Sequence, residues 1–200
     1  MKKIIFWGDG VLAGPSGYAE ILSDLIFLNH PGAQVITFAY GGENPLQSAQ
    51  SEAPLHVIGK APDLVVLGFG HNDLLAGATP EDIGKTLLSL VELLLQKTHA
   101  DICLSNLISS FFPEAAEKQK CAYFNKILQD IDKERVKTLD LEQEMMRFLK
   151  VYQRGGGEKR SLHQGNGKLT LFGRLFLAQS AYAMIPWPAL EKSPELSGSE

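Results

Sequence analysis

The sequence predicts a three-layer α/β/α sandwich built on a five-stranded parallel sheet. Three observations predict it. Five apolar runs of strand length, with β-branched residues and flanking turn signals, occur at residues 3–7, 34–39, 63–69, 101–108 and 135–141. Each run is followed by a candidate helix, and a crossover helix is the usual way to return a chain for parallel pairing. Finally, 200 residues with 44% hydrophobic content describe one globular domain, with little room for a second.

The clearest helix spans 81–97. Thr79 can cap it, Pro80 sits at the first helical position, and Asp82 completes a capping box. Ile83, Leu87, Leu88, Val91, Leu94 and Leu95 give it a broad apolar stripe to bury. Further helices are expected at 17–28, 115–133 and 171–185. The domain is expected to run from 1 to 185. Beyond it the segment 186–200, with Pro186, Pro188 and Pro194 and a Ser-Gly-Ser-Glu ending, is expected to be a mobile tail. The glycine-rich, charged stretch 154–160 reads as a solvated loop, or as a lid beside a site. In open parallel sheets ligands bind at the carboxyl ends of the strands. Chemistry is therefore expected after Trp7, Ala39, Phe69, Ile108 and Leu141.

Composition narrows the partners. A net charge of -4 with scattered lysines and arginines offers no face for a nucleic-acid backbone. Only four strongly apolar residues follow Met1-Lys2-Lys3, too few for a secretion signal, and no run approaches the roughly 18 residues needed to span a bilayer. Cys103 and Cys121 form neither a disulfide framework nor a metal-ligand spacing, which fits a reduced cytoplasm with no metal and no cofactor. Phe111, Phe112 and Pro113 read equally as pocket lining or as a dimer surface, so a homodimer stays open.

Four short blocks carry a resemblance. Gly8-Asp9-Gly10-Val11-Leu12-Ala13-Gly14, directly after the first strand, resembles the GDS-L-x-x-G opening of the SGNH/GDSL hydrolases, with glycine at the serine position. Ala39-Tyr40-Gly41-Gly42-Glu43-Asn44 stands where that family has N-x-G-x-x-G; alanine replaces the asparagine and Asn44 the second glycine. Gly68-Phe69-Gly70-His71-Asn72-Asp73 resembles the G-x-N-D block. Ser161-Leu162-His163, with Gly173 downstream, resembles the closing D-x-x-H block, although Arg160 holds the aspartate position.

The resemblance implies an SGNH-hydrolase, flavodoxin-like fold and a site in which a hydroxyl attacks an ester carbonyl while a histidine takes its proton. Carried over, His163 is the base, Asn72 the oxyanion asparagine, and Gly10 the substituted nucleophile position, where the backbone N–H survives. Asp9, Gly42, Asn44 and His71 are candidate ligand-binding residues. Asp9 itself reads as a structural acceptor of backbone N–H groups in the turn, and His71 as a local hydrogen-bonding residue. Glu158 or a carbonyl could orient His163 in place of an aspartate. Losing the serine is worse, because removing one triad member leaves only about 10³–10⁴ over water. The implied function is an impaired esterase or acylhydrolase-like protein that keeps a pocket for a small acylated or carbohydrate-like ligand. A His163-activated water is the enzymatic alternative.

Two rivals are weighed beside it. Ser16 could serve as a relocated nucleophile, but it stands six residues past the strand-end position of residue 10. Gly8-x-Gly10-x-x-Ala13 also satisfies a dinucleotide fingerprint. However, Asp9 would bring negative charge to the pyrophosphate, and no acidic residue closes the second strand.

Overall fold

The computed structural model describes residues 2–41, 45–154, 162–163 and 168–187. Five strands, β1 (Lys3–Gly8), β2 (Gln34–Ala39), β3 (Leu64–Gly68), β4 (Asp101–Ser105) and β5 (Val136–Leu139), form one parallel sheet in the order β2-β1-β3-β4-β5. Helices α1 (Ala19–Asn29), α2 (Pro45–His56), α3 (His71–Leu75), α4 (Pro80–Lys97), α5 (Ala115–Gln129), α6 (Leu141–Arg154) and α7 (Leu171–Met184) complete the fold.

Successive side chains of a strand point to opposite faces, and here both faces are apolar. Ile4, Phe6, Leu64 and Val66 pack under α1, the start of α6, and α7. Ile5, Trp7, Val65 and Leu67 pack under α2, α4 and α5. The inner strands β1, β3 and β4 are almost wholly buried, whereas the edge strand β2 holds only half-buried and exposed residues. The expected three-layer α/β/α architecture is therefore what the chain adopts.

Local departures have local causes. β4 stops at Ser105, short of Ile108, because the N–H of Leu107 is taken by the Asn125 side chain at 2.8 Å. β5 stops at Leu139 because Asp140 turns to cap α6, accepting the Gln143 N–H at 3.1 Å. The α4 capping box is only half formed. Thr79 accepts the Asp82 N–H at 3.1 Å, but the Asp82 carboxylate bonds back to the Thr79 hydroxyl at 2.7 Å instead of to its main chain. The reciprocal box appears on α5 instead, between Glu114 and Glu117. α1 opens at Ala19, so residues 9–18 intervene between β1 and the helix. That separation removes the helix N-terminus from the glycine turn, as the dinucleotide alternative required it. Of the tail expected from residue 186, Trp187 is packed on the fold, stacked on His30 at 4.6 Å and donating to the Tyr182 carbonyl at 2.7 Å. Of the stretch 154–160, Arg154 closes α6. Residues 155–160 and 188–200 lie outside the described residues. Among the described residues no helix is long and apolar enough to cross a membrane.

Candidate functional site

The site grows from the carboxyl ends of β1 and β3, the point where the strand order reverses direction and ligand crevices form. Gly8 and Gly68 are register partners there, and only glycine permits the approach: a Cβ on Gly8 would stand 2.4 Å from the Gly68 carbonyl oxygen. The Asp9 N–H then donates to that carbonyl at 2.8 Å.

Asp9 is 2% exposed, and its carboxylate joins two segments. Oδ1 accepts the N–H of Val11 at 3.2 Å, shaping the turn after β1. Oδ2 accepts the N–H groups of His71 at 3.0 Å and Asn72 at 3.3 Å, the otherwise orphaned donors of the first turn of α3. That turn begins at Gly70, whose φ of 114° lies in the left-handed region. Burial pushes the Asp9 carboxyl up to about 7 against the downward pull of its three backbone donors, and the neighbouring Asp73 adds a smaller upward push. The structural role expected for Asp9 is what its contacts describe.

Gly10 follows on the exposed side of this turn, and an added Cβ would meet nothing within 4 Å. Its neighbour Gly14 is pressed against it; a Cβ there would lie 2.7 Å from the Gly10 Cα. Asn72 is half-buried in α3, and among the described residues no partner occupies its side-chain amide. His71 is 5% exposed, with its ring 4.7 Å from Phe112 and 6.4 Å from Phe111. Burial drops its imidazole to about 4, so it is neutral at physiological pH.

Phe111 also meets the His163 ring edge-on at 5.4 Å, so a single aromatic side chain links the two imidazoles. Phe111 and Phe112 are both buried, Phe111 bordering the small cavity beside Asp9 and Phe112 in the core under α4 and α5, so neither forms an exposed surface, while Pro113 stays exposed. The His163 segment is seated on the start of α7. His163 forms a bridge with Leu169, and the Thr170 N–H donates to the Leu162 carbonyl at 3.1 Å. Gly173 makes this seat possible: a Cβ there would fall 2.0 Å from the Leu162 oxygen.

Asp9, Val11, His71, Ser105 and Phe111 share the lining of a small cavity of about 20 Å³. That is room for one water molecule with polar partners. Beneath it the Tyr18 hydroxyl and Ser105 Oγ pair at 3.0 Å. Tyr18 and Ser105 escaped the sequence reading; a polar residue closing an apolar strand was the available sign for Ser105, but nothing local pointed to Tyr18. The structure thus brings the Gly10 turn, Asp9, His71 and Asn72 to one strand-end crevice, with His163 reaching it through Phe111. Gly42, Asn44, Glu158 and Arg160 lie outside the described residues. Ser16 is half-buried and does not line the cavity. Among the described residues no group of three or more His, Cys, Asp or Glu could hold a metal ion. Burial pushes both cysteine thiols up to about 12, leaving them protonated.

Residues 5–165 match the model of the GDSL-like Lipase/Acylhydrolase family, and the chain belongs to that family. Solved structures share its fold at low identity. The acetyl xylan esterase AlAXEase is 17% identical with a TM-score of 0.73, over 92% of this chain and 99% of its own. Axe2, an acetylxylan esterase from Geobacillus stearothermophilus, is 18% identical with a TM-score of 0.73, over 90% and 91% of the two chains. LAE5, an alpha/beta hydrolase from the metagenome of Lake Arreo, Spain, is 17% identical with a TM-score of 0.74, over 91% and 95%. No curated protein matches the sequence.

Two outcomes test this geometry. A carboxyl raised to about 7 is neutral in the folded state where it would be charged in the unfolded one, so its contribution is full near pH 4 and fades as pH rises through 7. Urea titrations should show Asp9→Asn less stable than the parent, by a margin that shrinks between those pH values; a margin that grows with pH would mean the three N–H donors outweigh burial. Gly173→Ala should lose about 1–3 kcal/mol from the clash with the Leu162 carbonyl, despite the better helix propensity of alanine. An unchanged melting temperature, with an unshifted His163 ring in NMR spectra, would contradict the close packing.

Proposed function

We propose that this protein is an ester-hydrolase scaffold silenced at its nucleophile position, which keeps an oxyanion-accepting pocket for a small acylated or carbohydrate-like ligand. The observation that carries this reading is Gly10. It holds the place of the family serine in the turn after β1, offers no hydroxyl, and has open space where a side chain would stand. Ester cleavage in this family requires a nucleophile at that point, a base beside it and donors for the developing oxyanion. Here the Gly10 N–H and the unpartnered Asn72 amide are the donors, His163 is the base, and the nucleophile is lacking. Asp9 positions the donors by fixing the turn of residue 10 and the turn of residue 72 to one carboxylate. Proteins that share the fold are named as acetyl xylan and acetyl-xylooligosaccharide esterases, which makes an acetylated sugar the first ligand to try.

One observation favours a second reading. The space at the missing Cβ is large enough to admit water, which His163 could activate for direct attack on an ester while Asn72 holds the oxyanion. An unassisted water is a poorer nucleophile than a positioned alkoxide, so this ranks second.

Hydrolysis of p-nitrophenyl acetate separates the readings. The protein itself should turn over near the buffer rate and be indifferent to His163→Ala. Gly10→Ser should gain about 100-fold or more, and lose the gain again in the double variant with His163→Ala. Parent turnover of about 1 s⁻¹ or faster that vanishes with His163→Ala would overturn the silenced reading. Slow, His163-dependent hydrolysis without a trappable acyl-enzyme would replace it with the water mechanism.

A further inference from the structure

Edge strand β5 ends beside a second concavity that the reading above does not use. α5 covers one face of the sheet, α6 starts on the other, and a groove of about 440 Å³ lies between them. That volume falls within the range of small-ligand sites. Asn106 borders both this groove and the small cavity at Asp9, so the two lie on either side of the segment following β4.

The groove face of α5 repeats at helical spacing through Lys118, Ala122, Asn125 and Gln129, a stripe that would normally be apolar if it packed on a neighbouring helix. Its floor is polar and internally fixed. Asn106, 4% exposed, donates to Asp140 Oδ1 at 2.7 Å and accepts the Glu142 N–H at 3.2 Å. Gln129 donates to Asp140 Oδ2 at 3.2 Å. Glu142 accepts both the N–H of Ser109, at 3.1 Å, and its hydroxyl. Neutral donors thus orient both carboxylates without cancelling their charge. Across from them, Lys118 and Lys126 have no ion-pair partner among the described residues.

Two fixed carboxylates and two unpaired ammonium groups around one groove disfavour an occupant of either sign, since an anion meets Asp140 and Glu142 while a cation meets Lys118 and Lys126. What suits them is an uncharged ligand that donates and accepts over short intervals: adjacent hydroxyls can donate to the carboxylates and accept from the ammonium groups. Ala122 and the methylene stems of the lysines supply apolar surface for C–H groups between the hydroxyls. We propose that the groove between α5 and the start of α6 is a binding site for a neutral saccharide unit, separate from the crevice at residue 10. It requires neither catalysis nor ligand binding at that crevice.

Amide chemical-shift mapping on the full chain tests this with trimers of xylose, glucose and N-acetylglucosamine, and with citrate and inorganic phosphate as anionic probes. At least one trimer should shift amides confined to residues 106–109, 118–129 and 140–143, with a dissociation constant near 1 mM or tighter. Asp140→Asn keeps a residue able to cap α6 while removing the charge, and Lys126→Ala alters only the exposed rim; each should weaken binding about tenfold. Gly10→Ser should leave the groove affinity unchanged. Absence of saccharide shifts at about 10 mM, occupancy by citrate or phosphate alone, indifference to both groove variants, or an affinity that follows Gly10→Ser would each overturn the proposal.

Discussion

One buried carboxylate governs the arrangement of the strand-end crevice. Asp9 gathers the N–H groups of Val11, His71 and Asn72, so the turn that presents residue 10 and the helix that presents Asn72 cannot move independently. Leaving several buried backbone donors unsatisfied costs about 1–3 kcal/mol each, which explains why so short a helix as α3 can hold its position. The price is a charge that burial resists, and the carboxyl responds by holding its proton to about pH 7. Scaffold geometry at this crevice therefore depends on a residue that need not touch a ligand.

This division separates positioning from reactivity. The contacts that hold the crevice are backbone bonds to Asp9, glycine approaches at Gly8 and Gly173, and the seat of Leu162 on α7. None of them uses a side chain at residue 10. The side chain at residue 10 can consequently change without disturbing the scaffold around it, since an added Cβ there meets nothing within 4 Å.

Much of this was legible in the sequence, for physical reasons. Inner strands buried on both faces produce uninterrupted apolar runs, and β1, β2 and β3 fell within one or two residues of their expected limits. The glycine blocks were legible because close backbone approach restricts residue choice locally. β4 was read too long because residues 106–108 are apolar enough to continue a strand, while the bond that ends it comes from Asn125, far along the chain. α3 escaped because it is five residues long and held by Asp9 and Gly70 instead of by its own pattern. The bridging place of Phe111, and the Tyr18–Ser105 pair, arise from contacts across the fold that no local pattern encodes. Residues 42–44 of the second block, and Arg160, fall outside the described residues, so their part in the site rests on the sequence alone.

The most direct test is a high-resolution crystal structure of the Gly10→Ser variant. The account predicts an undisturbed turn, since the added side chain meets open space, with the new hydroxyl within about 3.5 Å of a His163 ring nitrogen and facing the same side of the crevice as the Asn72 amide. A hydroxyl directed away from both groups, with the imidazole held beyond reach of any single water, would contradict it.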